Sequence, residues 1–317
     1  MKTKKYVDFD NEVQEEIKQC LMEDRLATTK MSSLEQAKEF VYNTFVPDGL
    51  MNNGEYYIDE VGHVRRAPSG KENILWEMLK NLRVLYLTKE LNAGKDMKDT
   101  YDIRQDSFCV PVNYIDKDHF KTKLEEKKGL NKMIAYTLHG IIYTLTHPHE
   151  PFLEFEKIKS NDVMETLVKY MFARINIKST GGFSKSNDGE VLQEAEKYSS
   201  YTIKRIKNLC PKVIICCGNQ NNKNFILEDF LNHNGFHFPV GEYNLHANHL
   251  HLPDTNRGSQ PDVCHNSFPV VPFQSILQLK VFYPGTSSHQ ISEDPGIHRL
   301  LLLQYLHQSF QQLLFSM

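Results

Sequence analysis

At 317 residues, with 40% apolar and 24% charged side chains, the chain is long enough for one large domain and ordinary enough in composition to build a sizeable core. A net charge of −3 excludes a broadly basic surface and leaves nucleic-acid contact to a local cluster. The six cysteines (Cys20, Cys109, Cys210, Cys216, Cys217, Cys264) form no CxxC pair and no zinc or iron–sulfur spacing, so a reduced cytoplasm is the expected setting.

The first residues, Met1 to Lys5, run into Asp8, Asp10 and Glu12 without an apolar stretch, so no secretory signal is expected. Asn11 to Leu26 is helix-like and heavily charged. Ser33 to Phe45 gives a cleaner helical signal, with Ser32 or Ser33 as cap and Glu35 in the first turn. Pro47-Asp48-Gly49 breaks that helix. After the turn at Asn52-Asn53-Gly54, Tyr56 to Ile58 and Val61 to Val64 read as two short strands. Residues 1–68 thus form a helical and hairpin extension that could cover one sheet edge, and 69–317 form the main α/β domain.

Glu72 to Leu82 carries Ile74, Leu75, Met78 and Leu82 at helical spacing and leads into Arg83-Val84-Leu85-Tyr86-Leu87-Thr88. This short apolar run, closed by the charged segment Lys89 to Asp96, has the character of a strand buried on both faces of a parallel sheet. Leu130 to Leu145 is a mostly apolar helix closed by His147-Pro148, and the longest apolar stretch, Ile134 to Leu145, is too short and too polar to cross a bilayer. A helix over Asp162 to Tyr170 precedes a second strand, Phe172 to Ile177, which ends in Lys178-Ser179-Thr180-Gly181-Gly182. Leu192, Ala195, Tyr198, Thr202, Ile206 and Leu209 lie on one stripe, predicting a single helix stopped by Pro211. Lys212 to Cys217 is a third strand. Phe225 to Asn232 predicts one helix in an otherwise irregular stretch, Leu277 to Phe282 a fourth strand, and Ser292 onward a last helix. Strands alternating with helices predict a three-layer αβα sandwich with a mainly parallel central sheet.

In such sheets ligands sit beyond the carboxyl ends of the strands, so the polar residues following Leu87 and Ile175 are the first candidates for chemistry. Asn176 is conspicuous, because an amide inside an apolar strand costs stability unless it is satisfied.

The order of these pieces resembles the uracil-DNA glycosylase superfamily. The likeness is carried by Val84 to Thr88 with its trailing Lys89-Glu90-Leu91-Asn92, placed like the family's water-activating loop, and by Arg174-Ile175-Asn176-Ile177-Lys178, similar to the strand whose Asn holds the flipped base. Pro211 to Gly218 resembles the strand before the family's later loops, and Phe282-Tyr283-Pro284-Gly285-Thr286-Ser287-Ser288-His289 is similar in position to the His-Pro-Ser leucine loop. Departures are Lys89 where a Gly is usual, Asn92 one residue out of register, Tyr283 at the motif histidine, and the missing four-cysteine cluster set.

The resemblance implies base flipping in DNA and hydrolysis of an N-glycosidic bond. It assigns Glu90, Asn92 and His289 as catalytic, Asn176 and Tyr101 as base-binding, and Lys178, Ser179, Gly181, Ser287 and Ser288 as phosphate-binding. Plainer roles compete. Glu90 would cap a helix or pair with Lys89, Asn176 would bond strand to loop, the glycines and serines would make turns, and Asp102 with Arg104 would form a structural ion pair.

No cofactor is expected, and DNA, a nucleotide or a base is the expected partner. A non-catalytic nucleic-acid or nucleotide-binding module of the same fold is one alternative. The other is a metal-dependent hydrolase built on His246-Ala247-Asn248-His249-Leu250-His251, near His233, His237 and His265, although that spacing matches no zinc signature and no metal ligand set is assigned. The phosphate loop Gly-x-x-x-x-Gly-Lys-Ser/Thr and the nucleophile elbow Gly-x-Ser-x-Gly are both absent.

Overall fold

A computed structural model describes residues 5–28, 31–60, 64–91, 102–106, 129–147, 150, 158–182, 187–217, 226–236 and 281–282. The expected fourth strand is therefore described only at its last two residues, and the last helix lies outside the described residues.

Helix α1 (Tyr6–Ala27) begins five residues earlier than its charge pattern suggests. It buries Asp10, Val13, Gln14, Ile17 and Leu21, one stripe at helical spacing. Helix α2 (Leu34–Thr44) is capped as expected: the Ser33 hydroxyl accepts from the Gln36 amide, while the Gln36 side chain accepts from the backbone of Ser32. Val13, Ile17 and Leu21 pack with Val41 and Phe45 of this hairpin and with Tyr198.

Strand β1 (Gly49–Leu50) follows. The strands β2 (Tyr56–Ile58) and β3 (Val64–Arg66) form an antiparallel pair, with Tyr56 opposite Arg66 and Ile58 opposite Val64. The second strand is described from Val64 to Arg66, and the expected start at Val61 lies outside the described residues. Arg65 is held by Asp59, and Arg66 by the Gly54 carbonyl and Asn53.

Helix α3 (Glu72–Leu79) passes through a 3-10 turn (Lys80–Leu82) into strand β4 (Val84–Thr88). Next come α4 (Gly129–Thr146), α5 (Ser160–Lys169), β5 (Ala173–Asn176), α6 (Asp188–Lys197), α7 (Ser199–Leu209), β6 (Val213–Cys217), α8 (Ile226–His233) and β7 (Val281–Phe282). The single helix expected over 192–209 is two helices that meet at Tyr198, whose ψ of 15° departs from the helical value. Both halves keep their apolar side on the same core, which is why the stripe reads as continuous.

The main sheet has five strands in the order β1-β5-β4-β6-β7. The pairs β4–β5 and β4–β6 are parallel, with Thr88 opposite both Asn176 and Cys217; β1 and β7 run antiparallel at the edges. Every residue of the three central strands is buried, as the apolar runs of β4 and β6 require, while β5 buries Arg174 and Asn176 between its apolar residues.

Side chains alternate between two clusters. Val84, Tyr86, Val213, Ile215 and Cys217 pack with Ile134, Leu138, Ile141, Val163 and Leu167 of α4 and α5. Leu85, Leu87, Ala173, Ile175, Ile214 and Cys216 pack with Trp76, Val191, Ile206 and Phe230 of α3, α6, α7 and α8. Two aromatic residues with polar ends inside these layers are satisfied: Trp76 Nε1 donates to the Leu209 carbonyl at 2.9 Å, and the Tyr86 hydroxyl donates to the Ile134 carbonyl at 3.1 Å.

Candidate functional site

The helices that follow β4 pack on one face of the sheet and those that follow β5 on the other. The chain leaves β4 toward β5 on one side and β6 toward β7 on the other, so the topological switch of the sheet, the usual position of a ligand crevice, lies between the carboxyl ends of β4 and β6, at Thr88 and Cys217. Thr88, Lys89 and Glu90 follow β4 there, and Asn176, Ile177 and Lys178 end the neighbouring strand β5.

Asn176 is completely buried. Its Oδ1 accepts from the Thr88 hydroxyl, and its backbone N–H donates to Oδ2 of Asp48 at 2.6 Å. Its Nδ2 has no hydrogen-bond partner, which costs about 1–3 kcal/mol for a buried donor. The strand-to-loop role considered from sequence is thus carried by the backbone and Oδ1, leaving the amide donor unused.

Past the strand ends the backbone ladder continues: Ile177 N donates to the Thr88 carbonyl and Lys178 N to the Lys89 carbonyl, both at 2.9 Å. Glu90 does not pair with Lys89. It pairs with Lys178 at 2.5 Å, with only 6% of the Glu90 side chain exposed, and Lys89 instead reaches Asp188 at 2.8 Å. The Glu90 carboxylate lies so close over Gly182 that a Cβ there would meet it at 2.2 Å. Any side chain at this position would have to displace the Glu90 carboxylate.

Two predicted phosphate ligands are held by the chain itself. Gly181 N donates to the Thr44 carbonyl at 2.7 Å, and the Ser179 carbonyl accepts from Val46 at 2.9 Å. Thr180 donates through both its backbone N–H and its hydroxyl to Glu194 of α6. The structure therefore brings Glu90, Asn176, Lys178, Ser179 and Gly181 together at one end of the sheet, with Lys178 engaged by Glu90. Asn92, Tyr101, Ser287, Ser288 and His289 lie outside the described residues, as do Asp96 and all of the His-rich segment except His233.

Sequence reasoning missed a buried charge network beside this site. Pro47-Asp48-Gly49 turns the edge strand so that the Asp48 side chain, not a backbone carbonyl, receives the Asn176 N–H. Arg205 of α7 donates to Asp10 through Nε at 2.6 Å and to Asp48 Oδ1 through Nη2 at 2.5 Å. Gln14 adds a bond to Asp10 at 2.8 Å and another to the Asp48 carbonyl at 2.9 Å. Gly49 has φ +126°, and a Cβ on it would meet the Asp10 carboxylate at 2.4 Å. Burial pushes the Asp48 carboxyl above its ordinary range, with Arg205 and the Asn176 N–H opposing that push. Burial also works against the Arg205 charge, but Asp10 and Asp48 together outweigh it and hold the guanidinium more firmly protonated. The turn at 47–49 was legible as a break. Its carboxylate's partners were not.

Asp102 and Arg104 form the ion pair expected of them, at 2.7 Å, and Arg104 also donates to Asn11. A small cleft on this flank is lined by Val7, Asp10, Leu50, Asn52, Pro68, Glu72 and Arg104, and neither Glu90 nor Asn176 lines it. Burial pushes the Cys217 thiol up to about 12, with nearby Arg174 opposing it, so this cysteine is not a thiolate nucleophile at neutral pH. Among the described residues no group of three or more His, Cys, Asp or Glu is arranged to hold a metal, and no helix is long and apolar enough to cross a membrane. No family model, curated protein or solved structure matches this chain.

Proposed function

We propose that this chain is a uracil-DNA glycosylase-like protein that recognises a flipped base in DNA and hydrolyses its N-glycosidic bond. In this reading the sheet and its two helical faces form a three-layer αβα sandwich, with residues 1–68 as an extension whose Gly49–Leu50 strand closes one edge. Asn176 carries the proposal. Its carbonyl is fixed by Thr88 and its Nδ2 is left without a partner at the carboxyl end of β5, the arrangement needed to donate to a base carbonyl.

Glu90 is the residue assigned to orient water, and Lys178 beside it sets how that carboxylate points. For Lys178 to grip a phosphate instead, the phosphate would have to displace Glu90. Asn92, Tyr101, Ser287, Ser288 and His289 complete the assignment from sequence. The test is base release from uracil- and hypoxanthine-containing oligonucleotides, single- and double-stranded. Unchanged activity in a protein carrying Glu90→Ala, Asn92→Ala and Asn176→Ala together would reject the assignment.

One observation favours a second reading, a nucleotide- or nucleic-acid-binding module without chemistry. The Glu90 carboxylate is bound by Lys178 and nearly closed to solvent, which suits a structural clasp better than a water-activating group. Salt-dependent DNA binding with no base release would select this reading.

A further inference from the structure

Arg174 and Asn176 are two residues apart on β5 and alternate with Ala173 and Ile175, which face the α3 and α7 side. Both therefore stand on the opposite face, in the rows of Tyr86 and of Thr88 with Cys217. Arg174 is 3% exposed, and its Nε has no hydrogen-bond partner, like Nδ2 of Asn176. None of the ion pairs among the described residues includes Arg174.

A guanidinium does not shed its charge, so burying one without a counter-anion is strongly unfavourable. Several acids around this end of the sheet are already engaged: Asp10 and Asp48 by Arg205, Glu90 by Lys178, and Asp188 by Lys89. The Arg174 charge is felt at the Cys217 thiol, two positions further toward the carboxyl end of the sheet and two strands away. The unpaired charge thus acts at the same end of the sheet as the unpaired amide.

We infer that Arg174 and Asn176 together bind an oxygen-bearing group that carries, or in reaction develops, negative charge at the carboxyl end of β5. The guanidinium balances its charge, and Asn176 Nδ2 donates to its oxygen. This deepens the glycosylase reading and rests on it where the oxygen belongs to a base, since Arg174 then meets the negative charge that develops on a departing base. The same two donors suit the oxygens of free phosphate.

The experiment is a thermal-midpoint titration of the full chain with uracil and, separately, with inorganic phosphate. One probe raises the wild-type midpoint saturably. Arg174→Met is at least as stable as wild type without the probe and binds it at least about tenfold more weakly, the effect of losing a charged hydrogen bond. Asn176→Asp supplies an internal carboxylate for Arg174, raises the midpoint without the probe, and abolishes the response. A response to uracil identifies the base as source, and a response to phosphate identifies phosphate. Failure of both probes to shift the wild type, or an Arg174→Met response equal to wild type, overturns the inference. Base release assayed in parallel separates the two claims. Wild-type release rates in Arg174→Met overturn this role and leave the glycosylase reading standing. Arg174-dependent phosphate binding in a protein that releases no base does the reverse.

Discussion

The Thr88 hydroxyl on β4 donates across the strand pair to Oδ1 of Asn176 on β5, and so decides which end of the buried amide is left free. Replacing Thr88 by Val keeps the shape and removes the donor. Both ends of the amide then lack a partner, and an unsatisfied buried acceptor costs about 1–3 kcal/mol. Urea denaturation of Thr88→Val should show a loss in that range with an unchanged slope. Base release should fall more than stability accounts for, because the amide is no longer held in one orientation.

Arg205 joins α7 to α1 and to the turn at Asp48, with side chains that are almost wholly inaccessible. Removing one partner of a buried pair leaves the other charge uncompensated, which costs about 3–5 kcal/mol. Arg205→Met should lose about that much in denaturant unfolding. Asp10→Asn should lose less, since its amide oxygen still accepts from the guanidinium. Equal, small losses in both would mean that the network does not tie the N-terminal helix to the core.

Gly182→Ala places a methyl where the Glu90 carboxylate now lies. The clashing atoms are the far end of a flexible side chain, so the fold accommodates the change at a cost of about 1 kcal/mol, while Glu90 is driven off Lys178. If Glu90 orients water, Gly182→Ala should lower base release at least tenfold with little change in DNA affinity. Full activity in this variant would show that the position of Glu90 is immaterial.

His139 of α4 contributes the pH dependence. Burial lowers its pKa below the ordinary 6.5, against the raising effect of Asp162. Its Nδ1 is 2.8 Å from the Thr166 hydroxyl and its Nε2 has no partner. Below pH 6.5 the unfolded chain binds a proton that the folded chain resists, so stability falls as the pH drops through 6.5 toward the lowered folded value. His139→Leu should remove this part of the slope in melts taken from pH 7.5 to 5. An unchanged slope would assign it to other groups.

Two of the central strands were legible because burial on both faces makes each an apolar run, and Val84 to Thr88 and Val213 to Cys217 appear where those runs lie. The caps of α2 and the Asp102–Arg104 pair were legible because their partners are near in sequence. The Asp10–Asp48–Arg205 network was not. Asp10 sits in a helix full of charges, Asp48 in a turn signal, and Arg205 next to Lys204 beside an apolar stripe, and their partners are 157 and 195 residues apart. The direction of β7 was hidden for a similar reason, since an apolar run marks a strand without fixing which way it runs. At the site, sequence located Glu90, Asn176 and Lys178 but not that Glu90 and Lys178 bind each other, a contact made by loops from two different strands.

The most direct test of the account is base release by purified wild-type protein and by Asn176→Ala, with circular dichroism confirming that both are folded. The account predicts release of uracil or hypoxanthine from an oligonucleotide by the wild type, and a rate at least about a hundredfold lower in Asn176→Ala, the effect of losing a hydrogen bond made in a water-excluded site. Release at the same rate by both proteins, or by neither, would contradict it.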